Sequence, residues 1–243
     1  MKSKSLSITS FDKMIGLFCY LISIAISTIN YEGTKLIIDG ESSLVYPKLN
    51  DYSAATECTI THTGKITISQ QTFMLFKSLK TVTITAPNIE LSNQAFQECS
   101  ISELFKAEAT EKITIGQSAF NSATIGGIEL RGGNNVEMAQ QAFQTITKAA
   151  NVTIISGGKV AVGESAFTNS PVETIQIISD GDVTLEQQAF QQCTGITTLE
   201  IESKKGGIEF GKDAFIYAAI DEVTLKANLD IIIDQQAMQK VDK

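Results

Sequence analysis

The sequence predicts a solenoid of the α/β class that is mostly β, with two short strands and one short helical turn in each coil. An Ala-Phe pair or a close variant recurs along the chain at spacings of 23, 24, 23, 24, 23, 25 and 23 residues. Two groups of alternating apolar residues precede each pair, as in strands with one buried face. A fixed period of this length is typical of solenoids, whose repeats bury their apolar sides by stacking. The pairs are Thr72-Phe73, Ala95-Phe96, Ala119-Phe120, Ala142-Phe143, Ala166-Phe167, Ala189-Phe190, Ala214-Phe215 and Ala237-Met238.

The composition is that of a folded, acidic protein. Of the 243 residues, 43% are hydrophobic and 19% are charged, and the formal net charge is -8. The repeat is not interrupted by a Pro-, Gly- or Ser-rich linker, so we expect a single solenoid domain. Because Lys and Arg do not cluster, the chain lacks the positive surface that phosphate contacts require. Nucleic acid is therefore not an expected partner.

The N-terminal segment differs from the rest of the chain. Three lysines within the first 13 residues precede the uncharged, apolar stretch 14–29, which ends in small residues around Ser27. This pattern predicts that residues 1–27 are a secretory signal peptide, cleaved after Ser27, and thus an extracellular or cell-surface location. An uncleaved signal anchor is the alternative, because the stretch is just short of the roughly 20 residues of a membrane span. In that case this segment alone would contact a membrane.

Residues 28–57 carry no copy of the repeat and are predicted to form an N-terminal cap. A solenoid exposes an apolar edge at its first coil, and an atypical terminal unit normally covers that edge. The repeats are then expected over residues 58–243, in about eight coils. The final coil has no obvious capping sequence. Its architecture could therefore be a short terminal coil, a contact with a second copy in a dimer, or the end of a truncated relative of longer repeat proteins.

The first strand of each coil is predicted from apolar residues at alternating positions. One coil departs from the pattern: Lys106 stands where an apolar residue is expected after Leu104, and Phe105 between them suggests a local change of register. The inward pairs of the other coils are Cys58/Ile60, Val82/Ile84, Ile128/Leu130, Val152/Ile154, Ile175/Ile177, Leu199/Ile201 and Val223/Leu225.

The second strand follows a turn that often contains glycine, and it repeats the same alternation in all eight coils. The Ala-Phe segment comes next, where alanine permits close approach of the neighbouring coil and phenylalanine fills the coil's centre. The phenylalanines are therefore predicted to stack into a buried spine. The second-strand pairs are Ile66/Ile68, Ile89/Leu91, Ile113/Ile115, Val136/Met138, Val160/Val162, Val183/Leu185, Ile208/Phe210 and Ile231/Ile233.

The order strand, turn, strand, then Ser-Ala-Phe or Gln-Ala-Phe with Cys or Ala three residues later resembles the BspA-like leucine-rich repeat. Phe96 with Cys99 and Phe120 with Ala123 illustrate this spacing. The resemblance covers about residues 58–243 and implies a right-handed leucine-rich-repeat solenoid. It also implies a secreted or surface protein of mucosal bacteria or parasitic protists that binds host matrix, host cells or other microbes. It implies no individual binding residue, since the shared positions are buried.

The cysteines and the single histidine suggest neither a metal site nor a catalytic one. Cys99 and Cys193 occupy equivalent positions four coils apart, roughly 20 Å at the usual strand spacing, which is too far for a disulfide. With Cys58 they are predicted to be small buried apolar residues. His62 is predicted to lie on the surface, without a Cys or His at metal-ligand spacing and without a nucleophile elbow. No cofactor, no metal ion and no enzymatic activity are therefore expected.

The outward positions of the first strands form the candidate ligand-binding ladder. The expected function is non-enzymatic binding of a protein or cell-surface ligand, in the form of adhesion to host cells, matrix or other microbes; the oligomeric state is left open. An intracellular interaction scaffold is the first alternative. A polysaccharide-active β-helix enzyme is the second and weaker one, because the Ala-Phe segment replaces the third strand of such coils. The ladder comprises Thr81, Thr83, Glu103, Phe105, Glu129, Arg131, Thr153, Thr174, Gln176, Thr198, Glu200, Glu222, Thr224 and Lys226.

Overall fold

The structure, a computed structural model, describes residues 5–6, 27–40, 44–46, 49–148 and 151–241. Within these residues it is a mostly-β parallel solenoid of about eight turns with almost no helix, which confirms the predicted fold class. The one helical element is a 3-10 helix at Asn50–Tyr52. Most of the predicted signal peptide, residues 1–4 and 7–26, lies outside the described residues. Among the residues described, no helix is both long and apolar enough to cross a membrane.

Nine strands form a parallel sheet along one side of the solenoid, which we call the broad sheet. Each strand pairs with the equivalent strand of the next coil, so equivalent residues stack in rows. The strands are β3 (Lys35–Gly40), β5 (Glu57–His62), β7 (Leu79–Leu91), β8 (Ser100–Ile115), β10 (Gly127–Gly132), β12 (Asn151–Ser156), β14 (Thr174–Ser179), β16 (Thr194–Ser203) and β18 (Ala219–Ala227).

A second parallel sheet, which we call the narrow sheet, has only three residues of each coil. The long strands β7 and β8 belong to both sheets and contribute residues 89–91 and 113–115 here. The other strands are β4 (Leu44–Tyr46), β6 (Ile66–Ile68), β11 (Val136–Met138), β13 (Val160–Val162), β15 (Val183–Leu185), β17 (Ile208–Phe210) and β19 (Ile231–Ile233).

The N-terminal edge of the broad sheet is covered by a reversed strand. β2 (Ser27–Glu32) runs antiparallel to β3 and is joined to it by a two-residue turn at Gly33, whose φ of +64° lies in the left-handed region that glycine adopts freely. β1 (Ser5–Leu6) pairs antiparallel with β2 in turn, and β9 (Thr124–Ile125) pairs in parallel with the start of β8. Within the segment predicted as a cap, β3 and β4 already stack in parallel register on β5 and β6.

The phenylalanine spine is confirmed. All seven phenylalanines of the Ala-Phe pairs have no exposed surface, and neighbouring rings lie 4.4–5.2 Å apart and within 10° of parallel. The predicted inward pairs of both strands are buried in every coil but the last. The core is therefore one continuous column, to which each coil contributes one aromatic ring and about four aliphatic side chains.

The Ala-Phe segment is a run of tight turns and not the predicted helical turn. In one coil, Ala119 N donates to Gly116 O, Asn121 N to Ser118 O, and Ala123 N to Phe120 O. In the six coils from Ala95 to Ala214, the residue before the alanine has a positive φ of 53–60°, which interrupts helical geometry. Each phenylalanine N–H instead donates to the alanine carbonyl of the next coil at 2.7–2.9 Å. These bonds add a third intercoil ladder to the two sheets.

The cysteines are buried as predicted, whereas the prediction for His62 is wrong. Cys58, Cys99 and Cys193 are free thiols, and burial raises the pKa of each to about 12. His62 is only 4% exposed, because Gly40 on the neighbouring strand leaves room for the imidazole. A Cβ atom on Gly40 would lie 2.1 Å from His62 Cε1.

Candidate ligand-binding face

The outward residues of the broad sheet form three parallel rows that run the length of the solenoid. With nine strands at the usual spacing and about six residues per strand, this face measures about 40 Å by about 20 Å. The narrow sheet, with three residues per strand, is about 10 Å wide. The central row of the broad sheet consists of Ile37, Thr59, Thr83, Lys106, Glu129, Thr153, Gln176, Glu200 and Thr224.

Most residues of the predicted ladder lie in these rows. They are half-buried or exposed, and their side chains alternate with the buried inward pairs. The structure therefore brings them onto one continuous surface. They are Thr81, Thr83, Glu129, Arg131, Thr153, Thr174, Gln176, Thr198, Glu200, Glu222, Thr224 and Lys226.

Glu103 and Phe105 do not belong to the rows, and the outward placement of Phe105 is wrong. Phe105 has no exposed surface and packs edge-on against two rings of the spine, 5.4 Å from Phe96 and 4.7 Å from Phe120. The cause is a register shift between β7 and β8, which adds one residue to β8 after Ile101. Glu103 is exposed at this bulge, and Lys106 takes the outward position.

A shallow groove of about 240 Å³ crosses the C-terminal half of this face. Its polar side chains are hydrogen-bonded to one another across strands: Gln176 Nε2 donates to Glu200 Oε2 at 3.0 Å, and Thr174 Oγ1 donates to Asn151 Oδ1. Five predicted ladder residues meet here. The groove is lined by Asn151, Val152, Thr153, Thr174, Ile175, Gln176, Thr198 and Glu200.

A second groove, of about 400 Å³, lies at the carboxyl ends of the strands and contains an ion-pair cluster. The Glu108 carboxylate accepts from Lys106 at 2.9 Å, and Arg131 Nε lies 3.9 Å from the same oxygen. These side chains are 30–44% exposed, so the pairs contribute little to stability and their charges can be shared with a ligand.

Two outward isoleucines were absent from the predicted ladder. Ile155 and Ile178 lie opposite each other on β12 and β14 in the outward row nearest the carboxyl ends of the strands. They are half-buried and form an apolar patch that Arg131 and Glu202 flank in the same row. The strand alternation that places Val152 and Ile154 inward would also have placed Ile155 outward had it been extended by one residue. An apolar patch bordered by polar side chains is a common feature of protein-binding surfaces.

A larger groove, of about 690 Å³, lies off this face. Residues that follow the Ala-Phe turns of four successive coils form it, and one of them, Tyr217, is 46% exposed. The sequence did not indicate this groove, because its residues are distant in the chain and follow no shared pattern. It is lined by Thr145, Ile146, Thr147, Asn169, Ser170, Pro171, Gln192, Thr194 and Tyr217.

Two carboxylates of the described surface have lowered pKa values, Glu137 and Asp180. In the part of the chain that the structure describes, no group of three His, Cys, Asp or Glu residues could hold a metal ion. A hydrogen bond from Lys112 is the main cause of the lowered pKa of Glu137. Lys205, followed by Lys204, lowers the pKa of Asp180. Both carboxylates are thus in surface ion pairs, which stabilise the charged form.

A family model of the BspA-type leucine-rich repeat region matches the chain in six copies, over residues 48–135 and 113–241. The two ranges together span residues 48–241, well over half of the chain. Searches of curated proteins and of solved structures found no significant match.

Proposed function

The chain belongs to the BspA-type leucine-rich-repeat family, and from this premise we propose that it is a secreted or cell-surface protein that binds a protein ligand through the broad sheet. Leucine-rich-repeat proteins of this kind are typically binding scaffolds and not enzymes. The biological role that we propose is adhesion to host cells, extracellular matrix or other microbes.

The size and composition of the broad-sheet face carry this proposal. The face measures about 40 Å by about 20 Å, and its area therefore matches the surface of about 800 Å² that each partner buries in a specific protein–protein interface. The narrow sheet offers about half that area. The Ile155–Ile178 patch supplies apolar contacts, and the hydrogen-bonded groove beside it supplies polar contacts. A rigid, rod-like sheet also loses little conformational entropy on binding.

A steric test distinguishes the two faces. Thr153→Arg places a long charged side chain in the central row of the broad sheet, where it is expected to weaken ligand binding by at least about tenfold through a clash and an unpaired charge. Thr184→Arg is the matched control, because Thr184 is the equally half-buried central outward residue of β15 in the narrow sheet. It is expected to change affinity by less than about twofold.

The measurement is binding of the purified protein to a panel of matrix proteins and to epithelial cells, followed by titration of both variants against each ligand found. Weaker binding by Thr184→Arg with unchanged binding by Thr153→Arg would place the ligand on another face. If the protein is confined to the cytosol and binds no member of the panel, the proposed adhesion is contradicted and the intracellular scaffold is favoured.

Secretion has a separate test, since it depends on the N-terminal segment alone. The chain expressed from its own first methionine is expected to be processed and to begin near Thr28. N-terminal sequencing of the exported protein checks this. A surface protein that retains Met1 would indicate a signal anchor, and an unprocessed cytosolic protein would contradict secretion.

A further inference from the structure

The groove of about 690 Å³ lies where one coil departs from the pattern of its neighbours. Four residues after the spine phenylalanine, the backbone N–H of four other coils donates to a carbonyl of the preceding coil at 2.8–3.1 Å. Pro171 occupies this position in its own coil and has no N–H to donate. The equivalent bond to the Ile146 carbonyl therefore cannot form, and both residues line the groove. The donors in the other coils are Ser100, Thr124, Thr147 and Ala219.

The groove runs across four successive coils. The residues two positions after each spine phenylalanine follow it from Thr145 through Asn169 and Gln192 to Tyr217. At the usual strand spacing, these three intercoil intervals span about 14 Å. The coil after Tyr217 holds its ring in place, because Lys240 Nζ donates to Tyr217 Oη at 2.7 Å and lies 4.6 Å from the ring centre. The groove therefore has an aromatic wall at one end.

The lining of the groove is uncharged, and its two amide side chains have no partner. None of the nine lining residues is Asp, Glu, Lys or Arg, although the chain carries a formal net charge of -8. Within the part of the chain that the structure describes, the exposed amide groups of Asn169 and Gln192 make no hydrogen bond. Ser170, in contrast, is buried and its hydroxyl donates to Phe143 O at 2.9 Å. The two amides are thus the polar groups that a ligand can engage.

This lining fits one class of ligand better than the others. Charged ligands bind best to groups of opposite charge, which the lining lacks. A purely apolar ligand would displace water from both amides without replacing its hydrogen bonds, which is unfavourable. An extended peptide usually adds a strand to an exposed backbone edge, and Pro171 removes the donor from that edge. A neutral molecule with many hydroxyl groups fits, because an amide both donates and accepts hydrogen bonds.

We propose that this groove binds a neutral oligosaccharide. The Tyr217 ring packs against the C–H face of one sugar, and the amides of Asn169 and Gln192 hydrogen-bond to hydroxyl groups of the adjoining sugars. The volume lies within the range of about 300 to 1,000 Å³ that is usual for ligand sites, and the groove is longer than a single sugar ring. The site lies off the broad sheet, so it does not depend on the protein ligand proposed above.

Binding of the purified protein to an array of immobilised glycans tests the ligand class. We expect binding to neutral oligosaccharides and weaker binding to sialylated and sulfated glycans of the same length, because no cationic side chain lines the groove. Binding to no neutral glycan on the array, or a preference for the anionic glycans, would overturn the proposal.

Two substitutions of Tyr217 test the role of the aromatic ring. Tyr217→Ala is expected to raise the dissociation constant at least about tenfold, because the sugar loses the flat surface on which it packs. Tyr217→Phe keeps the ring and is expected to stay within about threefold of the wild type. Calorimetric titration with the neutral glycan that binds most strongly on the array measures both. Unchanged binding by Tyr217→Ala, or equal losses in the two variants, would contradict the proposed stacking.

An amide substitution with a matched control tests the polar contacts. Asn169→Gly is expected to weaken glycan binding about three- to tenfold, the effect of losing one or two hydrogen bonds. Glycine is chosen because Asn169 has a φ of +58°, which glycine adopts without strain. Glu98→Gly is the control: Glu98 occupies the equivalent position of a coil outside the groove, with a φ of +56°. It is expected to change the affinity by less than about twofold, and equal weakening by both variants would overturn the proposal.

The Thr153→Arg variant separates this site from the broad-sheet face. It is expected to leave glycan binding unchanged, while Tyr217→Ala leaves the binding of a protein ligand unchanged. If Thr153→Arg weakens glycan binding as much as Tyr217→Ala does, the glycan does not bind in this groove and the proposal fails. Failure of the protein-binding panel with intact glycan binding would contradict only the proposed function.

Discussion

Replacing Phe143 by alanine is expected to lower the free energy of unfolding by about 3 to 5 kcal/mol. The ring has no exposed surface and stacks 4.6 Å from Phe120 and 5.0 Å from Phe167. Its removal leaves a cavity between two coils whose backbones are tied by three ladders of hydrogen bonds and cannot close around it. Because a solenoid is stabilised by contacts between neighbouring coils, the loss affects both interfaces of this coil.

Urea denaturation followed by circular dichroism measures the change. Tyr217→Ala is the control: this ring lies in an equivalent turn segment but is 46% exposed, and its loss is expected to cost less than about 1 kcal/mol, including its contact with Lys240. Similar costs for the two substitutions would contradict the view that the stacked spine is the main source of stability.

Gly157→Ala is expected to destabilise the protein by about 1 to 3 kcal/mol or more. A Cβ atom at this position would lie 2.0 Å from Gly133 O, and that atom belongs to the backbone of the neighbouring coil. No side-chain rotation can relieve the contact. The two coils would have to separate locally, which weakens the hydrogen bond from Gly157 N to Gly132 O.

Gly127→Ala is the matched control for this substitution. The nearest atoms to its added Cβ lie at 3.5 Å, an ordinary van der Waals distance. We expect a change within about 1 kcal/mol, because the added methyl group meets no close contact and alanine has fewer unfolded conformations than glycine. Thermal and urea unfolding of both variants check the expectation, and equal destabilisation would show that backbone approach at Gly157 is not the limiting contact.

In the coil around Phe105, the alternation of apolar residues is not sufficient to predict which side chains face inward. A shift of the strand register by one residue would turn Phe105 outward and Lys106 inward, and the local sequence is compatible with either register. Pairing of Phe105 with Val82 and Ile128 selects the register that places the ring against the spine. Burial of an aromatic side chain outweighs the irregularity of one bulge.

The burial of three serines also depends on the stacking of the coils and does not follow from strand alternation. Ser156, Ser179 and Ser203 stack at the carboxyl ends of three broad-sheet strands, each 3% exposed or less. Ser179 Oγ donates to Gly158 O of the preceding coil at 2.5 Å, and Ser203 Oγ donates to Gly181 O at 2.7 Å. In the sequence, a serine beside a glycine turn suggests an exposed loop. Only the stacked coils show that these hydroxyl groups hydrogen-bond to the turn of the preceding coil.

The amino-acid sequence by itself determined the coil length, the inward side of nearly every strand and the phenylalanine spine. Each of these follows from local backbone geometry, repeated with the same spacing in every coil. Only the tertiary structure decided which residues share the outer face near Phe105, that His62 is buried beside Gly40, and that Val223 is 42% exposed. Val223 and Leu225 follow the same local pattern as Val152 and Ile154, but burial requires a neighbouring coil on both sides, and that depends on position in the stack.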